Sequence, residues 1–367
     1  MLIGIPREIK DHEYRVGATS HGVHALCAAG HRVVVQAGAG ARAGFGDDAY
    51  AAAGGRIVED PREVYGADLI VKVKELQPTE IAFVHAGQVI FCYHHFAPAP
   101  GLLQAMLEAG VSCVAYETVT AGDGRLPLLV PMSQIAGRLA PQVGAWALQM
   151  ANGGSGVLLG GVPGVAPARV VIIGGGTVGQ GAARIAIGMG AQVTLLDRDP
   201  ARLARLEEIF GARLTGIVST PQSIPDALVG ADLVVGAVLL PGQRAPRLVR
   251  RKDLDLMRPG SVLVDVSIDQ GGIAETSRPT SHSAPLYVEH GVVHYCVTNM
   301  PSAVARTATL ALTQATLPYA LALADCGLEQ AVRADRGLMS GLQLHAGRIT
   351  HPGLAMDTGR QHLPAFS

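Results

Sequence analysis

Residues 169–197 constrain the fold of this chain more than any other stretch. They begin with an apolar run, 170–173, and continue through the glycine-rich segment 174–179 into a pattern with helical spacing, 178–189. A second apolar run then ends at Asp197. A short apolar run bounded by glycine is typical of a strand that is buried on both faces. The stretch therefore predicts a strand, a tight turn, a helix and a second strand.

The glycines of the turn fit the G-x-G-x-x-G pattern of dinucleotide-binding folds, at Gly174, Gly176 and Gly179. In that pattern the first glycine permits the turn, the second lets the backbone approach a pyrophosphate, and the third lets the helix pack on the strand. Free N–H groups at the start of the helix then face the phosphates. Such a turn also occurs in other α/β proteins, but the strand before it and the helix after it favour a dinucleotide site.

Asp197 indicates which dinucleotide is bound. A carboxylate at the end of the second strand can accept both ribose hydroxyls and would repel a 2′-phosphate, which favours NAD over NADP. Arg198 stands next to it and weakens that preference, because an arginine can pair with a 2′-phosphate. The predicted cofactor is NAD.

Length and composition limit the classes of protein that remain. A chain of 367 residues is long for one core and predicts two domains, and its 49% hydrophobic residues predict a large core and self-association. A formal net charge of −1 gives no electrostatic reason to expect a nucleic-acid partner.

No targeting, membrane or metal signal stands out. Residues 1–10 lack the pattern of a signal peptide, and the most apolar long window, 157–176, is interrupted by prolines and glycines, so we predict no membrane partner. The five cysteines are scattered and lack C-x-x-C spacing. They predict reduced thiols in a cytoplasmic protein and no metal site.

The distribution of apolar runs predicts an α/β fold in both halves of the chain. Predicted strands of the first half are 2–5, 32–36, 69–73, 89–93 and 112–116, with helical patterns such as 21–29 and 101–108 between them. Strands that alternate with helices indicate a mostly parallel sheet. After the dinucleotide unit, further strands are predicted at 213–218, 233–237, 262–266 and 292–297.

Two long helical patterns, 132–150 and 302–326, connect the halves. We therefore predict two Rossmann-like, doubly wound parallel-sheet domains joined by long helices, with a cleft between them. The substrate domain is expected to comprise residues 1–128 with 303–367 returning to it, and the NAD-binding domain residues 129–302.

Several polar residues follow predicted strands, where the carboxyl ends of an open α/β sheet collect functional groups. They are Lys72 and Lys74 after the third predicted strand, His94 and His95 after the fourth, and Asp269 and Asn299 after two later strands, together with Arg15 in the loop after the first strand. His94 has the opposite strand parity to His95, so the two are not expected to share a role. A single arginine or lysine is more often a solvated surface charge, and a histidine that ends an apolar strand is more often structural. Asp269 is the better candidate because it opens a polar turn directly beyond a buried strand.

Short segments spread over the whole chain resemble bacterial L-alanine dehydrogenases. These segments are PRE at 6–8, EYRV at 13–16, KVKE at 72–75, YHHF at 93–96, GRLPLL at 124–129, DQGG at 269–272 and CVTNMP at 296–301. The opening motif and the NAD unit are also similar to the nucleotide-binding part of proton-translocating nicotinamide nucleotide transhydrogenase. Lys74 and His95 favour the dehydrogenase.

The resemblance implies a reversible reaction in which L-alanine, NAD and water give pyruvate, ammonium and NADH, in a homo-oligomer that is usually a hexamer. It implies that Arg15, Lys74, Met132 and Asn299 bind substrate and that His95 and Asp269 are catalytic, with His95 as the general acid/base. The predicted cofactor-binding residues are Ser133, Gly174, Gly176, Thr177, Val178, Gly179, Asp197, Arg198, Val238, Leu239, Ile268, Asp269, Asn299 and Met300.

Three other functions fit parts of the pattern. A transhydrogenase nucleotide-binding subunit would exchange hydride with a partner protein and need no amino acid site. A non-catalytic NAD-sensing module would leave Lys74 and His95 as structural residues. The same fold could also act on glycine and glyoxylate or another small amino acid.

Overall fold

The computed structural model describes residues 1–239 and 244–366, which fold into two compact units. The first unit comprises Met1–Met132 and Val304–Ser367, and the second comprises Ser133–Ala303. The domain boundaries expected from the sequence, at 128/129 and 302/303, stay predictions.

Most of the strands lie close to the predicted apolar runs. In chain order they are β1 (Leu2–Ile5), β2 (Arg32–Gln36), β3 (Arg56–Val58), β4 (Leu69–Val71), β5 (Val89–Cys92), β6 (Ser112–Ala115), β7 (Arg169–Ile173), β8 (Gln192–Asp197), β9 (Leu214–Val218), β10 (Leu233–Gly236), β11 (Val262–Asp265), β12 (Leu286–Glu289), β13 (Val292–Tyr295), β14 (Leu342–His345) and β15 (Arg348–Ile349).

The helices fall between most of these strands. They are α1 (Ser20–Ala28), α2 (Asp47–Ala52), α3 (Pro61–Tyr65), α4 (Pro100–Ala109), α5 (Val130–Ala147), α6 (Thr177–Gly188), α7 (Pro200–Phe210), α8 (Ser223–Leu228), α9 (Ala305–Ala334), α10 (Arg336–Gly341) and α11 (Pro352–Thr358). Within the described residues, none of these helices has the length and apolar character that crossing a bilayer requires.

The sheet of the first unit has the order β15-β14-β6-β5-β4-β1-β2-β3. Strands β1 to β6 pair in parallel, and the chain reverses its direction of winding between the neighbours β1 and β4. The C-terminal strands β14 and β15 extend the sheet antiparallel beyond β6. In such a sheet the reversal point leaves a crevice at the carboxyl ends of the strands, where ligands bind.

The sheet of the second unit has the order β12-β13-β11-β10-β7-β8-β9, with the same reversal between β7 and β10. Only β12 runs antiparallel among its described strands. Apolar side chains cover both faces, because alternate residues of β7 point to opposite sides: Val170 and Ile172 lie in one core cluster, Val171 and Ile173 in the other. The predicted fold of two Rossmann-like α/β domains is confirmed.

Several details differ from the sequence prediction. Strand β12 was not predicted, because none of its four residues is fully buried. Strand β3 was missed because only one of its three residues is buried, so Lys74 follows the fourth strand and not the third. The C-terminal strands were also missed. The helix predicted at 302–326 begins only at Ala305, after a short 3-10 turn, and continues to Ala334 across a break at Gly327, where φ is +74°.

Candidate active site

In the first unit, the candidate substrate residues gather where β1, β4 and β5 end. Pairing continues beyond the strands, because the N–H of Tyr93 donates to the carbonyl of Val73 at 3.0 Å. This register places Lys74 and His95 at the same edge of the sheet. Arg15 belongs to the loop after β1, which is the neighbour of β4 at the reversal point. The structure therefore brings together, in one unit, three residues that are far apart in the chain.

Arg15 is held almost completely buried by Glu13. Its Nε lies 2.7 Å from Glu13 Oε1 and its Nη2 lies 2.5 Å from Oε2, a two-pronged contact in which both oxygens accept. On the other side Nη1 lies 3.1 Å from the sulfur of Met132. Burial alone would lower the pKa of Arg15, but the Glu13 carboxylate outweighs it and raises that pKa. The guanidinium is a fixed, permanent cation beside the thioether of Met132.

Lys74 differs from its neighbour Lys72 in its partners. Only 9% of Lys74 is exposed, yet within residues 1–239 and 244–366 its Nζ makes no hydrogen bond or ion pair. Lys72 is fully buried and its Nζ lies 3.0 Å from Glu8 Oε2 and 3.2 Å from Glu80 Oε1. The Glu75 carboxylate lies close enough for the Lys74 charge to lower its pKa, but its direct ion pair is with Lys10. A nearly buried ammonium without a direct contact is suited to an anionic or carbonyl ligand, whereas Lys72 is suited to structure.

His95 lies at the rim of this site, and Glu117 fixes its backbone. Its φ is +46°, and its N–H donates to Glu117 Oε1 at 2.6 Å. The same oxygen lies 3.7 Å from Nδ1 of the ring, and 40% of the side chain is exposed. The neighbouring His94 is buried, its Nε2 lies 3.2 Å from the carbonyl of Ile90, and burial lowers its pKa. Only His95 of the pair is accessible to a substrate.

Tyr93 stacks on the ring of His95 and interacts electrostatically with Arg15. Its ring is parallel to the ring of His95, with 5.9 Å between their centroids, and its hydroxyl donates to the carbonyl of Leu128 at 2.6 Å. Burial raises the pKa of Tyr93, so the phenol stays neutral. Arg15 and Lys74 therefore contribute two cations, and His95 an imidazole, to this side of the first unit.

In the second unit, the first and last glycines of the turn, Gly174 and Gly179, are closely packed, whereas the middle one, Gly176, has free space beside it. The φ of Gly174 is +106°, and a Cβ there would lie 2.6 Å from the carbonyl oxygen of Ala237. A Cβ at Gly179 would lie 1.8 Å from the carbonyl oxygen of Gly174, whereas one at Gly176 would meet nothing within 4 Å. Gly176 is the N-cap of α6 and makes no side-chain cap hydrogen bond, so the N–H groups of Thr177 and Val178 are the first of the helix. This arrangement fits a dinucleotide pyrophosphate.

Asp197 ties the second strand of this unit to the glycine turn. Its Oδ2 accepts from the N–H of Gly175 at 2.6 Å and from Nη1 of Arg202 at 3.0 Å, and Oδ1 accepts from the N–H of Asp199 at 2.9 Å. Burial raises the pKa of Asp197, but these donors outweigh it and the pKa is lowered. The carboxylate is ionised in the position where a ribose is expected, while Arg198 is exposed.

Val238 lies at the reversal point of the second sheet. The preceding Ala237 donates its N–H to the carbonyl of Ile173 at 2.8 Å, and the N–H of Val238 donates to Ser267 Oγ at 3.0 Å. Ser267 belongs to a 3-10 turn, Val266–Gln270, that also contains the buried Ile268 and the exposed Asp269. Leu239 is exposed.

Ser133 is placed beside the glycine turn by its helix. One turn further along α5, a Cβ at Gly137 would lie 2.2 Å from the carbonyl oxygen of Val178, so the two helices are in direct backbone contact. The carbonyl of Asn299 lies 2.8 Å from Nε2 of His282. Met300 is buried in the core of the unit. No group of three His, Cys, Asp or Glu suited to a metal ion occurs among the described residues.

Three residues that shape these sites were not predicted. Glu117 follows β6 directly, so the rule that selected His95 after β5 would have found it. Arg202 follows Asp199 and Pro200, a helix-start pattern that turns its side chain back towards Asp197. Glu13 carries no such signal, because its two-pronged contact with Arg15 depends on the shape of the loop.

Comparison with known proteins agrees with this arrangement. Family models described as alanine dehydrogenase/PNT, N-terminal domain, and alanine dehydrogenase/PNT, C-terminal domain, match residues 4–136 and 140–352. A relative from Halomonas elongata named alanine dehydrogenase is 51% identical over 100% of this chain and 99% of its own length.

Two solved structures are similar over almost their whole length. One titled L-alanine dehydrogenase has a TM-score of 0.95 and 47% identity, covering 98% of this chain and 99% of its own. A transhydrogenase from Sinorhizobium meliloti has a TM-score of 0.80 and 25% identity, covering 96% of this chain and 99% of its own.

Proposed function

We propose that this chain, which belongs to the alanine dehydrogenase/PNT family, catalyses the reversible oxidation of L-alanine by NAD and water to pyruvate and ammonium. Relatives that are about half identical over the full length support this reaction. The observation that carries the proposal is Lys74, a nearly buried ammonium that forms no hydrogen bond or ion pair through Nζ among residues 1–239 and 244–366, while the nearby Glu75 is paired with Lys10. A subunit that only exchanged hydride between nucleotides would need no such group.

Substrate binding follows from the two cations of the first unit. Arg15 is held rigidly by Glu13, and an arginine can bind a carboxylate through two parallel charge-assisted hydrogen bonds. This contact fixes the orientation of Cα. The Lys74 ammonium is a compact point charge that can polarise the carbonyl oxygen of pyruvate in the reverse direction. The thioether of Met132, which contacts Arg15, is proposed to line this site. Asn299 of the second unit is also proposed to bind substrate.

The second unit is proposed to hold NAD. The open side of Gly176 leaves room for the pyrophosphate, and the ionised Asp197 can accept the ribose hydroxyls. Ser133, Thr177, Val178, Val238 and Ile268 are proposed to contact the cofactor, which is supported by Thr177 and Val178 at the start of α6 and by Val238 after β10. When bound, the nicotinamide accepts the hydride that leaves Cα.

Proton transfer is assigned to His95. Loss of hydride converts the amino acid into an iminium, which water attacks to give a carbinolamine. With Nδ1 facing Glu117, Nε2 is the atom that takes a proton from the attacking water and returns it to the nitrogen of the carbinolamine. Ammonia then leaves as Nε2 takes the remaining hydroxyl proton, which gives pyruvate, and ammonia and this proton together make up the ammonium product. Asp269 is proposed to stabilise the cationic iminium and to orient the water.

A steady-state assay of the purified protein tests this proposal. NADH formation from L-alanine and NAD is expected, with the reverse reaction from pyruvate, ammonium and NADH. NADP in place of NAD, and glycine or glyoxylate in place of alanine or pyruvate, measure specificity for cofactor and substrate. NAD binding without turnover of any 2-amino or 2-oxo acid would contradict the proposal and favour a sensing module. Hydride exchange between nucleotides alone would favour a transhydrogenase subunit.

We also propose that the chain forms a homo-oligomer, with the hexamer that the resemblance implies. Support comes from large apolar side chains exposed in one segment of the second unit, residues 146–165, which is called the apolar segment below. Those side chains are Trp146, Met150, Leu158, Val162 and Val165. The cytoplasmic location expected from the cysteines stays a prediction.

A further inference from the structure

Asp265 is a fully buried carboxylate at the end of β11, and its identified partners are neutral donors. Its Oδ1 accepts from the N–H of Ser267 at 3.1 Å. Its Oδ2 accepts from the N–H of Ile273 at 2.7 Å and from the hydroxyl of Ser277 at 2.5 Å. Within residues 1–239 and 244–366 it forms no ion pair.

These bonds hold both ends of one loop. The contact with Ser267 caps the 3-10 turn Val266–Gln270, which carries Asp269. The contacts with Ile273 and Ser277 bring the chain back after Gly271 and Gly272, whose φ angles are +97° and +85°. One side chain therefore sets where the turn with Asp269 begins and where the loop returns.

The surroundings leave room for a carboxylate and for little else. A Cβ at Gly236 would lie 2.8 Å from Asp265 Oδ1, and a Cβ at Gly272 would lie 2.6 Å from Oδ2. Burial raises the pKa of Asp265, and the hydroxyl of Ser277 and the N–H groups of Ile273 and Ser267 oppose that rise. Burying a carboxylate without a cation costs free energy, so packing alone does not explain this residue.

We propose that Asp265 is a positioning residue that holds the turn carrying Asp269 in the geometry that alanine oxidation requires. The inference rests on the proposed function, because that reaction defines the role of Asp269. Ser267 extends the same link to the end of β10, since its hydroxyl oxygen accepts from the N–H of Val238 at 3.0 Å. Asp265 thus ties the turn to the neighbouring loop of the proposed cofactor site.

The substitution Asp265→Asn tests this role. It keeps the shape of the side chain but replaces one acceptor oxygen with an NH2 group. This group cannot accept from the donors that face it, so the hydrogen bonds are lost and the loop loosens. The kcat for alanine oxidation is expected to fall on the order of 100-fold, because small displacements of a reacting group have effects of that size. Circular dichroism should show a folded protein.

A double-mutant cycle separates positioning from general stability. If Asp265 acts through Asp269, then adding Asp265→Asn to Asp269→Asn should lower kcat by less than about twofold, since coupled residues are not additive. NADH absorbance at high enzyme concentration measures the low rates. The control is Asp232→Asn, a buried carboxylate at the opposite edge of the same sheet that accepts from the N–H of Arg169 at 2.8 Å. Its kcat should not change.

If Asp265→Asn does not fold, Ser277→Ala removes one donor only. A smaller loss of kcat is then expected, which again disappears in the Asp269→Asn background. The inference is overturned if either substitution leaves kcat unchanged, or if it lowers kcat by the same factor in both backgrounds. A wild-type protein that oxidises no alanine would end the proposed function as well. An active wild type with additive substitutions would end only this inference.

Discussion

In the first unit, carboxylates hold each of the three side chains proposed to bind or protonate substrate, or the backbone beside them. The pairs are Glu13 with Arg15, Glu8 with Lys74 and Glu117 with His95. Each carboxylate accepts at least one hydrogen bond from a backbone N–H. Each also lies close to a cationic or imidazole side chain, which is Lys72 in the case of Glu8. A reacting group that is fixed in this way needs less reorganisation when substrate arrives.

Replacing His95 with alanine should remove acid/base catalysis and leave cofactor binding intact. We expect kcat to fall by at least about 100-fold, which is typical for the loss of a general acid/base. NADH binding, followed by fluorescence titration, should stay within about twofold of the wild-type value. The control is His85→Ala, an exposed histidine of the same unit. Near-normal turnover of the His95 variant would show that its assigned role is wrong.

Glu117→Gln separates the charge of Glu117 from its hydrogen bonds. The amide oxygen can still accept from the N–H groups of His94 and His95, so the melting temperature should change little. The negative charge 3.7 Å from His95 Nδ1 is lost, and with it the electrostatic contact that orients the ring. We expect kcat to fall by about tenfold with an unchanged KM for alanine. A raised KM at constant kcat would point instead to a role in substrate binding.

The sequence distinguishes some of these residues and not others. The strand parity that separates His94 from His95 agrees with their burial, because alternate residues after β5 point in opposite directions. Glu117 could have been found by the strand-end rule. The Glu13 contact depends on loop conformation, which residue patterns do not encode. Met300 is buried in the core, and its expected contact with the cofactor stays a prediction.

At the scale of elements, β7, its glycine turn and α6 show how closely a helix can lie on a strand end. Gly179→Ala would place a Cβ 1.8 Å from the carbonyl oxygen of Gly174. We expect a loss of stability of about 1–3 kcal/mol, the usual cost of overpacking, together with weaker NADH binding. Chemical denaturation and fluorescence titration measure the two effects.

The same helix supplies the control. Gly188 also lies in α6, but a Cβ there would meet nothing within 4 Å. Gly188→Ala should therefore stabilise the protein, by about 0.5–1 kcal/mol at most, because alanine favours a helix over glycine. If both substitutions changed the free energy of unfolding in the same direction, the close approach of Gly179 would not explain the result.

The Asp197 contacts between β8 and the glycine turn should make stability depend on pH. Donors in the folded state lower its pKa below the ordinary value of 3.8, despite burial. The ionised carboxylate therefore stabilises the fold above pH 3.8, and this contribution is lost as the pH falls through the folded-state pKa. Asp197→Asn should lower the melting temperature at pH 7, and the difference from wild type should narrow below about pH 4. A constant difference at all pH values would contradict this linkage.

Most elements could be predicted because apolar runs and helical spacing are local properties of the chain. Strand β3 could not, since an edge strand with one buried residue leaves almost no hydrophobic pattern. Strands β14 and β15 were equally hidden, because they pair with β6 over a long sequence separation and that pairing is decided by the tertiary fold. The predicted order of strands and helices nevertheless led to the correct fold class.

At the scale of the whole molecule, the apolar segment is expected to mediate self-association. Met150 and Leu158 are 78% and 64% exposed, which is unusual for such side chains in a protein that stays monomeric. Replacing both with aspartate should lower the molar mass measured by light scattering. Met356→Asp is the control, because Met356 is 80% exposed in the first unit. An unchanged mass in the double variant would place the contact elsewhere.

The first unit is discontinuous in sequence, since Val304–Ser367 returns to the sheet begun by Met1–Met132. On the ribosome, β6 would emerge long before its antiparallel neighbour β14, and the inserted Ser133–Ala303 would be synthesised in between. Until β14 is synthesised, the segment Met1–Met132 therefore has an unpaired edge at β6, and unpaired strand edges can pair with other chains. Translation that stops before residue 342 should yield an aggregation-prone product, whereas the inserted half can reach its native state during synthesis.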